Sequence, residues 1–187
     1  MYVLKDGELL MDNKNLVIPS EINGETIRKI TPDLFRDNNS IDTVVIKKNT
    51  RIIGENAFRE CDIKQVVIGD DVEIIEHDAF YKSNIKVVVF GIKIKEIRKC
   101  SFERNNITHL ILPDTLDTIE ERGFYNNDIQ SISICGNVEL HSNDYSAFNN
   151  GFDEVYNGNK RKPGTYFKKE YSDWDYFPFR LKKMVIE

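Results

Sequence analysis

The sequence has few cysteines, no excess of positive charge and no long apolar run. Its three cysteines, Cys61, Cys100 and Cys135, lack CxxC spacing, which favours reduced thiols in a cytosol over a disulfide framework. The 26 basic and 31 acidic residues leave a net charge of -5, so nucleic acid is not an expected partner. The longest nearly apolar stretch, residues 87–90, is far shorter than the roughly 18 residues of a membrane span.

Motifs for targeting and catalysis are also missing. No charged-then-apolar leader follows Met1, which predicts a cytoplasmic protein, or a secreted or surface protein if a signal peptide preceded this chain. His77, His109 and His141 show no HExxH spacing. The sequence also lacks the nucleophile elbow of serine hydrolases, a phosphate-binding loop, the glycines of a dinucleotide-binding motif and a calcium-binding loop. We therefore predict that the protein is not an enzyme and has no catalytic, cofactor-binding or metal-binding residue.

What the sequence does contain is a repeat. Residues 41–128 can be written as four consecutive copies of 22 residues without a gap. Weaker copies precede them from Leu16 and follow them from Ile129. The register is carried by Ile53, Ile75, Ile97 and Ile119 and by Phe58, Phe80, Phe102 and Phe124. The length and the period together predict one domain, a solenoid of about six turns.

Each copy opens with alternating apolar residues, the pattern of a strand with one buried side. Its second half ends in a small residue and a Phe, as in Ala57-Phe58. Because equal turns stack, each Phe is expected to lie on the Phe of the next turn. Polar residues before each new strand are expected to bond backbone groups in the turns; they are Asn38, Asn39, Cys61, Asn105, Asn106, Asn126 and Asn127.

The stretches LILP at 110–113 and IGENAF at 53–58, followed by Cys61, resemble the repeat of BspA-like leucine-rich-repeat proteins. Residues 17–24 are similar to the longer first repeat of that family, and the resemblance covers about residues 2–170. Departures are Gly69, Gly91 and Cys135 at the strand-ending Pro and Asn143 at an Ile position. The resemblance implies a mainly β, right-handed solenoid with a parallel sheet on its concave face. It also implies protein recognition, often by secreted or surface-attached proteins, and no catalytic residues.

Both ends of the solenoid are expected to carry caps. Without them, the core side chains of the first and last turns would be exposed to water, and their strand edges could pair with other chains. Residues 1–15 are predicted to form a capping hairpin around Lys5-Asp6-Gly7. The solenoid is predicted over 16–158, with a last strand and turn within 152–158. Residues 159–187 are predicted to form an aromatic and basic C-terminal cap; the alternative is that this tail grips single-stranded nucleic acid or a membrane surface.

One outward residue lies between the buried positions of each predicted strand. This column is mostly apolar and comprises Val17, Val45, Val67, Val89, Ile111, Ser133 and Tyr156. Because neighbouring strands lie about 4.8 Å apart, we expect a continuous stripe, flanked by Thr43, Gln65, Val87, His109 and Ser131. Contiguous exposed apolar surface marks interaction sites, so the residues predicted to bind a partner are Val45, Val67, Val87, Val89, His109, Ile111, Ser133 and Tyr156. The alternative is that β-branched residues suit any strand face.

Three functions stay open on the sequence. The favoured hypothesis is a protein–protein interaction module, monomeric or weakly homo-oligomeric, that binds a protein through the concave sheet face. The alternatives are a surface adhesin or secreted effector that contacts a host protein, and a self-associating structural protein. The fold alone does not choose among them.

Overall fold

The computed structural model describes residues 11–12, 14–140, 145–169 and 173–178, and within them the chain winds as a mainly β solenoid. Each turn places a strand on one side, here called the front, and a two-residue strand on the other, the back. The front strands are β2 (Asn15–Ile18), β6 (Thr43–Ile46), β8 (Gln65–Val67), β10 (Val87–Val89), β12 (His109–Leu112) and β14 (Ser131–Ile134). The back strands are β5 (Lys29–Ile30), β7 (Ile52–Ile53), β9 (Ile74–Ile75), β11 (Glu96–Ile97), β13 (Thr118–Ile119) and β15 (Glu139–Leu140).

The remaining elements lie near the ends. They are β1 (Met11–Asp12), β3 (Glu21–Ile22), β4 (Glu25–Thr26), the single described helix α1 (Phe152–Gly158), β16 (Gly164–Lys168) and β17 (Trp174–Pro178). The back strands form one six-stranded parallel sheet, in which Ile53 pairs with Ile75 and Ile97 with Ile119. A chain that crosses six such strands completes about five full turns between the first and the last.

The core consists of ladders of identical side chains, as the period predicted. Successive rings of the Phe ladder stack with centroids 5.0 to 5.3 Å apart, from Phe35 through Phe58, Phe80, Phe102 and Phe124 to Phe148. Ala57 and Ala79, which precede two of these rings, are fully buried, so the small residue lets the turns approach. Each stacked pair contributes about 0.5–1.5 kcal/mol beyond the burial of its area.

A polar column runs beside the Phe ladder and closes the turns. The Asn105 side chain accepts hydrogen bonds from the amides of Ser83 (3.1 Å) and Ile85 (2.9 Å) and donates to the carbonyls of Phe80 (2.8 Å) and Phe102 (3.0 Å). Asn127 repeats this arrangement one turn later. The predicted bonding of turn backbone by these asparagines is confirmed, and buried backbone groups that would otherwise lack partners are satisfied.

The front side is interrupted between β10 and β12, against the expectation of one continuous sheet. β2, β6, β8 and β10 form one parallel sheet with β1 at its edge, and β12 and β14 belong to a second sheet. At the break, Phe90 replaces the aliphatic residue of the other turns, and its ring meets Phe102 edge-on at 5.7 Å. Val88 and Phe90 are only half-buried, whereas Val66 and Ile68 are buried. The partial burial of Val88 and Phe90 thus coincides with the break between the two front sheets.

Both ends depart from the parallel winding. β1 pairs antiparallel with β2, Met11 opposite Leu16, while the predicted turn at residues 5–7 lies outside the described residues. At the other end, β16 pairs antiparallel with β14, and β17 with β16. The strand predicted within 152–158 is wrong, because these residues form α1. Phe152 and Tyr156, four residues apart, lie on one helix face and pack inward together.

Candidate interaction face

The outward side chains of the front strands form two parallel rows, set by the strand register. The first row is Asn15, Thr43, Gln65, Val87, His109 and Ser131. The second row is Val17, Val45, Val67, Val89, Ile111 and Ser133. These outward rows contain every predicted partner-binding residue except Tyr156.

The exposure of the rows is greatest at the break between β10 and β12. Val87 and Val89 on β10 are each 48% exposed, and Ile111 on β12 is 75% exposed. Val45 and Val67, farther toward the N-terminal end, are half-buried. The apolar surface therefore concentrates where the two front sheets meet.

The polar members of the rows lie beside this apolar patch. His109 is exposed, and its Nδ1 lies 2.9 Å from the Oγ of Ser131. Ser133 is half-buried, and its Oγ lies 3.0 Å from the Oγ1 of Thr165 on β16. Ser133 is thus held by the C-terminal hairpin, whereas His109 can meet a partner.

The prediction that Tyr156 lies on the outward face is wrong. Its side chain is fully buried, with the ring stacked on Phe152. The Tyr156 hydroxyl donates to the carbonyl of Gly136 at 2.9 Å and accepts from the amide of Val138 at 3.0 Å. Burial raises the pKa of Tyr156. A residue that fills the end of the core in this way cannot contact a partner.

Two exposed aromatics extend the outward rows, and the sequence alone did not place them there. Phe167 of β16 lies opposite Ser131, and Phe177 of β17 lies opposite Thr165. They are 45% and 54% exposed, with their rings edge-to-face at 5.5 Å. Tyr166 and Trp174, which point the other way, are buried. The alternation of Thr165, Tyr166 and Phe167 was the available signal for a two-sided strand.

Charges that border the rows are paired between neighbouring turns. Lys64 lies 3.0 Å from Asp42, and Lys93 lies 2.6 Å from Asp71. The hydrogen bond from Lys93 lowers the pKa of Asp71, and that from Lys64 lowers the pKa of Asp42. These pairs are solvent-exposed and contribute little to stability, but they leave a border of mixed sign around an apolar centre.

Two of the three cysteines have environments that suppress thiolate formation. Burial raises the pKa of Cys61 to about 11, and its Sγ lies 3.0 Å from the carbonyl oxygen of Phe35. Burial, with Glu103 nearby, raises the pKa of Cys100 to about 12. A nucleophilic role needs a lowered thiol pKa, so the surroundings of Cys61 and Cys100 do not favour such a role. Cys135 is exposed.

Among the described residues, no three His, Cys, Asp or Glu side chains converge as a metal site. His77 lies 3.8 Å from Glu120, His109 stands in the outward rows, and His141 lies outside the described residues. Within the same part of the chain, the structure contains no helix with the length and apolar character needed to cross a membrane.

The repeat has a counterpart among protein families. The BspA type Leucine rich repeat region matches residues 28–152 in 6 copies. The chain belongs to this family. Proteins built from such repeats generally serve as protein-interaction or surface modules rather than as enzymes. No curated protein matches the chain.

A solved structure shows the same architecture. The chain is similar to a T. pallidum Leucine Rich Repeat protein, with 22% identity and a TM-score of 0.53 over 58% of each chain. It also matches a leucine rich cell surface protein from Faecalibacterium prausnitzii A2-165, with 16% identity and a TM-score of 0.39 over 94% of this chain and 59% of that one. The chain therefore spans less than two thirds of the length of either protein. The first likeness supports the fold alone.

Proposed function

We infer that this solenoid is a protein-binding module and that its partner contacts the outward rows of the front side. The observation that carries the proposal is the patch of Val87, Val89 and Ile111, exposed by 48%, 48% and 75% on adjacent strands. Isolated exposed apolar residues are ordinary, but a contiguous group of them marks an interaction surface.

The chemistry of the patch suits association. Val and Ile have few rotamers, so their ordering in an interface costs little entropy. Complete burial of such a side chain favours binding by about 1.5–3 kcal/mol. The exposed Phe167 and Phe177 lie beyond the polar Ser131 and Ser133, toward the C-terminal end. Aromatic residues of this kind are enriched at protein interfaces.

The border of the patch also matches the usual anatomy of an interface, in which a polar rim surrounds an apolar centre. His109 and Ser131 lie on one side, and Gln65, which pairs with Val87, lies on another. Because the patch itself consists of apolar side chains, the partner needs apolar groups at the centre.

Site-specific photocrosslinking in the native cell tests the location of the site. A benzophenone side chain is introduced at position 89 or 111 in the outward rows, or at position 34 as the control. Leu34 is 44% exposed but lies in the turn between β5 and β6, away from the rows. The expected result is that one and the same protein is crosslinked from positions 89 and 111 and not from position 34.

Two outcomes would contradict the proposal. Crosslinking of the partner from position 34 alone would move the site to another surface. Crosslinks only between copies of this chain would show self-association in place of binding to another protein.

A further inference from the structure

A polar hollow of about 430 Å³ lies where the last regular turns meet β16. Six asparagines, Asp128 and Lys168 line it, so amide, carboxylate and ammonium groups form its walls. Its volume is within the range of small-molecule sites, about 300–1,000 Å³. Its lining is unlike the second outward row, which is largely apolar.

Most of the asparagines are committed to the protein itself. Asn105 and Asn127 bond the backbone of neighbouring turns and have no spare donor. Asn149 accepts a hydrogen bond from the amide of Asn126 at 3.1 Å and donates to its side-chain oxygen at 3.3 Å. These residues give the hollow a fixed wall.

Asn150 is the exception in this group. It is only 8% exposed, and its backbone carbonyl accepts a hydrogen bond from Trp174 Nε1 at 2.9 Å. Its side-chain oxygen accepts from the amide of Phe152 at 3.3 Å. Within the described residues its Nδ2 donates to no carbonyl, whereas the Nδ2 atoms of Asn105 and Asn127 each do. Because Asn150 lines the hollow, this donor is available to an acceptor on a ligand.

Asp128 and Lys168 supply the remaining chemistry. The Lys168 ammonium lies 3.9 Å from the Asp128 carboxylate, and the Asp128 side chain is 75% exposed. Their opposite charges cancel, so the hollow offers no net attraction to an anion or a cation. The carboxylate accepts hydrogen bonds, and Lys168 and Asn150 donate them.

We propose that this hollow binds one neutral sugar unit, either a free monosaccharide or the terminal unit of a glycan. A hydroxyl group both donates and accepts, so neighbouring hydroxyls match the fixed donor of Asn150 and the acceptor of Asp128. The polar lining disfavours lipids, and the Asp128 carboxylate disfavours carboxylate ligands. The site is independent of protein binding by the outward rows.

The test is an NMR titration of the full chain with galactose, glucose, mannose and N-acetylglucosamine, each added alone. The expected result is a saturable shift of the Asn150 side-chain amide signal with at least one of them. The methyl glycoside of that sugar, titrated next, separates the two sources: equal binding indicates a glycan terminus, and loss of binding a free reducing sugar. Sodium acetate serves as the anion probe.

Isosteric variants assign the shift to the hollow. Asn150→Asp keeps the oxygen that caps Phe152 and removes the donor, and Asp128→Asn removes the charge at an exposed position. Asn150→Asp should weaken sugar binding by about tenfold or more, because a donor to the ligand is lost. Asp128→Asn should weaken it less, because a charged acceptor is replaced by a neutral one. Phe177→Thr, in the outward rows, should bind as the original chain does.

The proposal fails if no sugar gives a saturable shift or if acetate binds more tightly than every sugar. It also fails if Asp128→Asn and Lys168→Met both bind sugar unchanged. These two variants alter partly exposed side chains, so they keep the test decisive even if Asn150→Asp does not fold.

Discussion

The central turns and the C-terminal end of this solenoid bury the same kinds of side chain in different ways. In the centre, Phe58 and Phe80 stack face to face in nearly parallel planes, and the Phe ladder repeats this contact from turn to turn. At the end, Phe152 meets Phe148, Tyr166 and Trp174 edge-on. In a repeat, the same side-chain contacts recur in every turn. The end of a solenoid has no following turn, so its last side chains are covered by contacts that occur only there.

The two candidate sites lie where the packing or the spacing of the turns changes. The outward rows are most exposed at Val87, Val89 and Ile111, where Phe90 interrupts the copying of the front strands. The polar hollow lies at the last turns, where Phe148 departs from the 22-residue spacing that holds up to Phe124. The regular turns thus form a supporting framework, and both candidate binding sites lie where the repeat becomes irregular.

The largest expected effect on the free energy of unfolding comes from a substitution that interrupts the central Phe ladder. Phe80→Ala removes a fully buried ring stacked at 5.0 Å on Phe58 and at 5.1 Å on Phe102. The free energy of unfolding should fall by about 3–5 kcal/mol, because a cavity is left in a core that can collapse little. Urea unfolding followed by circular dichroism measures it.

The matched control is the same substitution at the end. Phe177→Ala removes an exposed ring, 54% of which is in contact with solvent, and should cost less than about 1 kcal/mol. Equal losses for the two variants would show that the ladder is not the main source of stability.

The next effect compares two asparagines that line the polar hollow. Asn105→Ser leaves the amides of Ser83 and Ile85 without their acceptor and should cost about 2–3 kcal/mol. Asn150→Ser loses one bond, to the amide of Phe152, and should cost about 1 kcal/mol. Chemical unfolding of both variants gives the two values. A larger loss at Asn150 would contradict the assignment of Asn105 as the structural member.

A smaller effect is a pH dependence of stability that arises at the C-terminal end of the solenoid. Burial raises the pKa of Asp153 from its ordinary 3.8 to about 6, although its carboxylate accepts from the amides of Ala147 and Phe148. The folded protein therefore holds this proton more tightly than the unfolded chain. The resulting stability is fully present below about pH 4 and is lost as the pH rises to about 6.

Thermal unfolding between pH 4 and pH 7 measures this contribution as a difference. The Tm of the original chain relative to Asp153→Asn should fall across that interval and then become constant. Asp117→Asn, at an exposed position in another turn, should show no such trend. A constant difference between the original chain and Asp153→Asn would remove Asp153 as the titrating group.

The repeated turns could be predicted from the sequence better than the irregular C-terminal end. The ladders, the strand register and the turn asparagines could be predicted because each position is repeated by residues one period away. Tyr156 could not be placed, because α1 replaces a strand where the period ends and local alternation was the wrong guide. Phe167 and Phe177 were assigned to a cap because their exposure depends on the pairing of β14, β16 and β17. The break at Phe90 depends on a ring that reaches across a turn.

The central claim is that a protein partner contacts the outward rows, and the affinity of that partner for matched variants tests it most directly. Val89→Thr combined with Ile111→Thr keeps the β-branched shape and removes the apolar surface, while Leu34→Thr makes a similar change away from the rows. With the purified partner identified by crosslinking, the double variant should raise Kd by about tenfold or more, and Leu34→Thr should leave it unchanged. An unchanged Kd for the double variant, with its Tm also unchanged, would contradict the account.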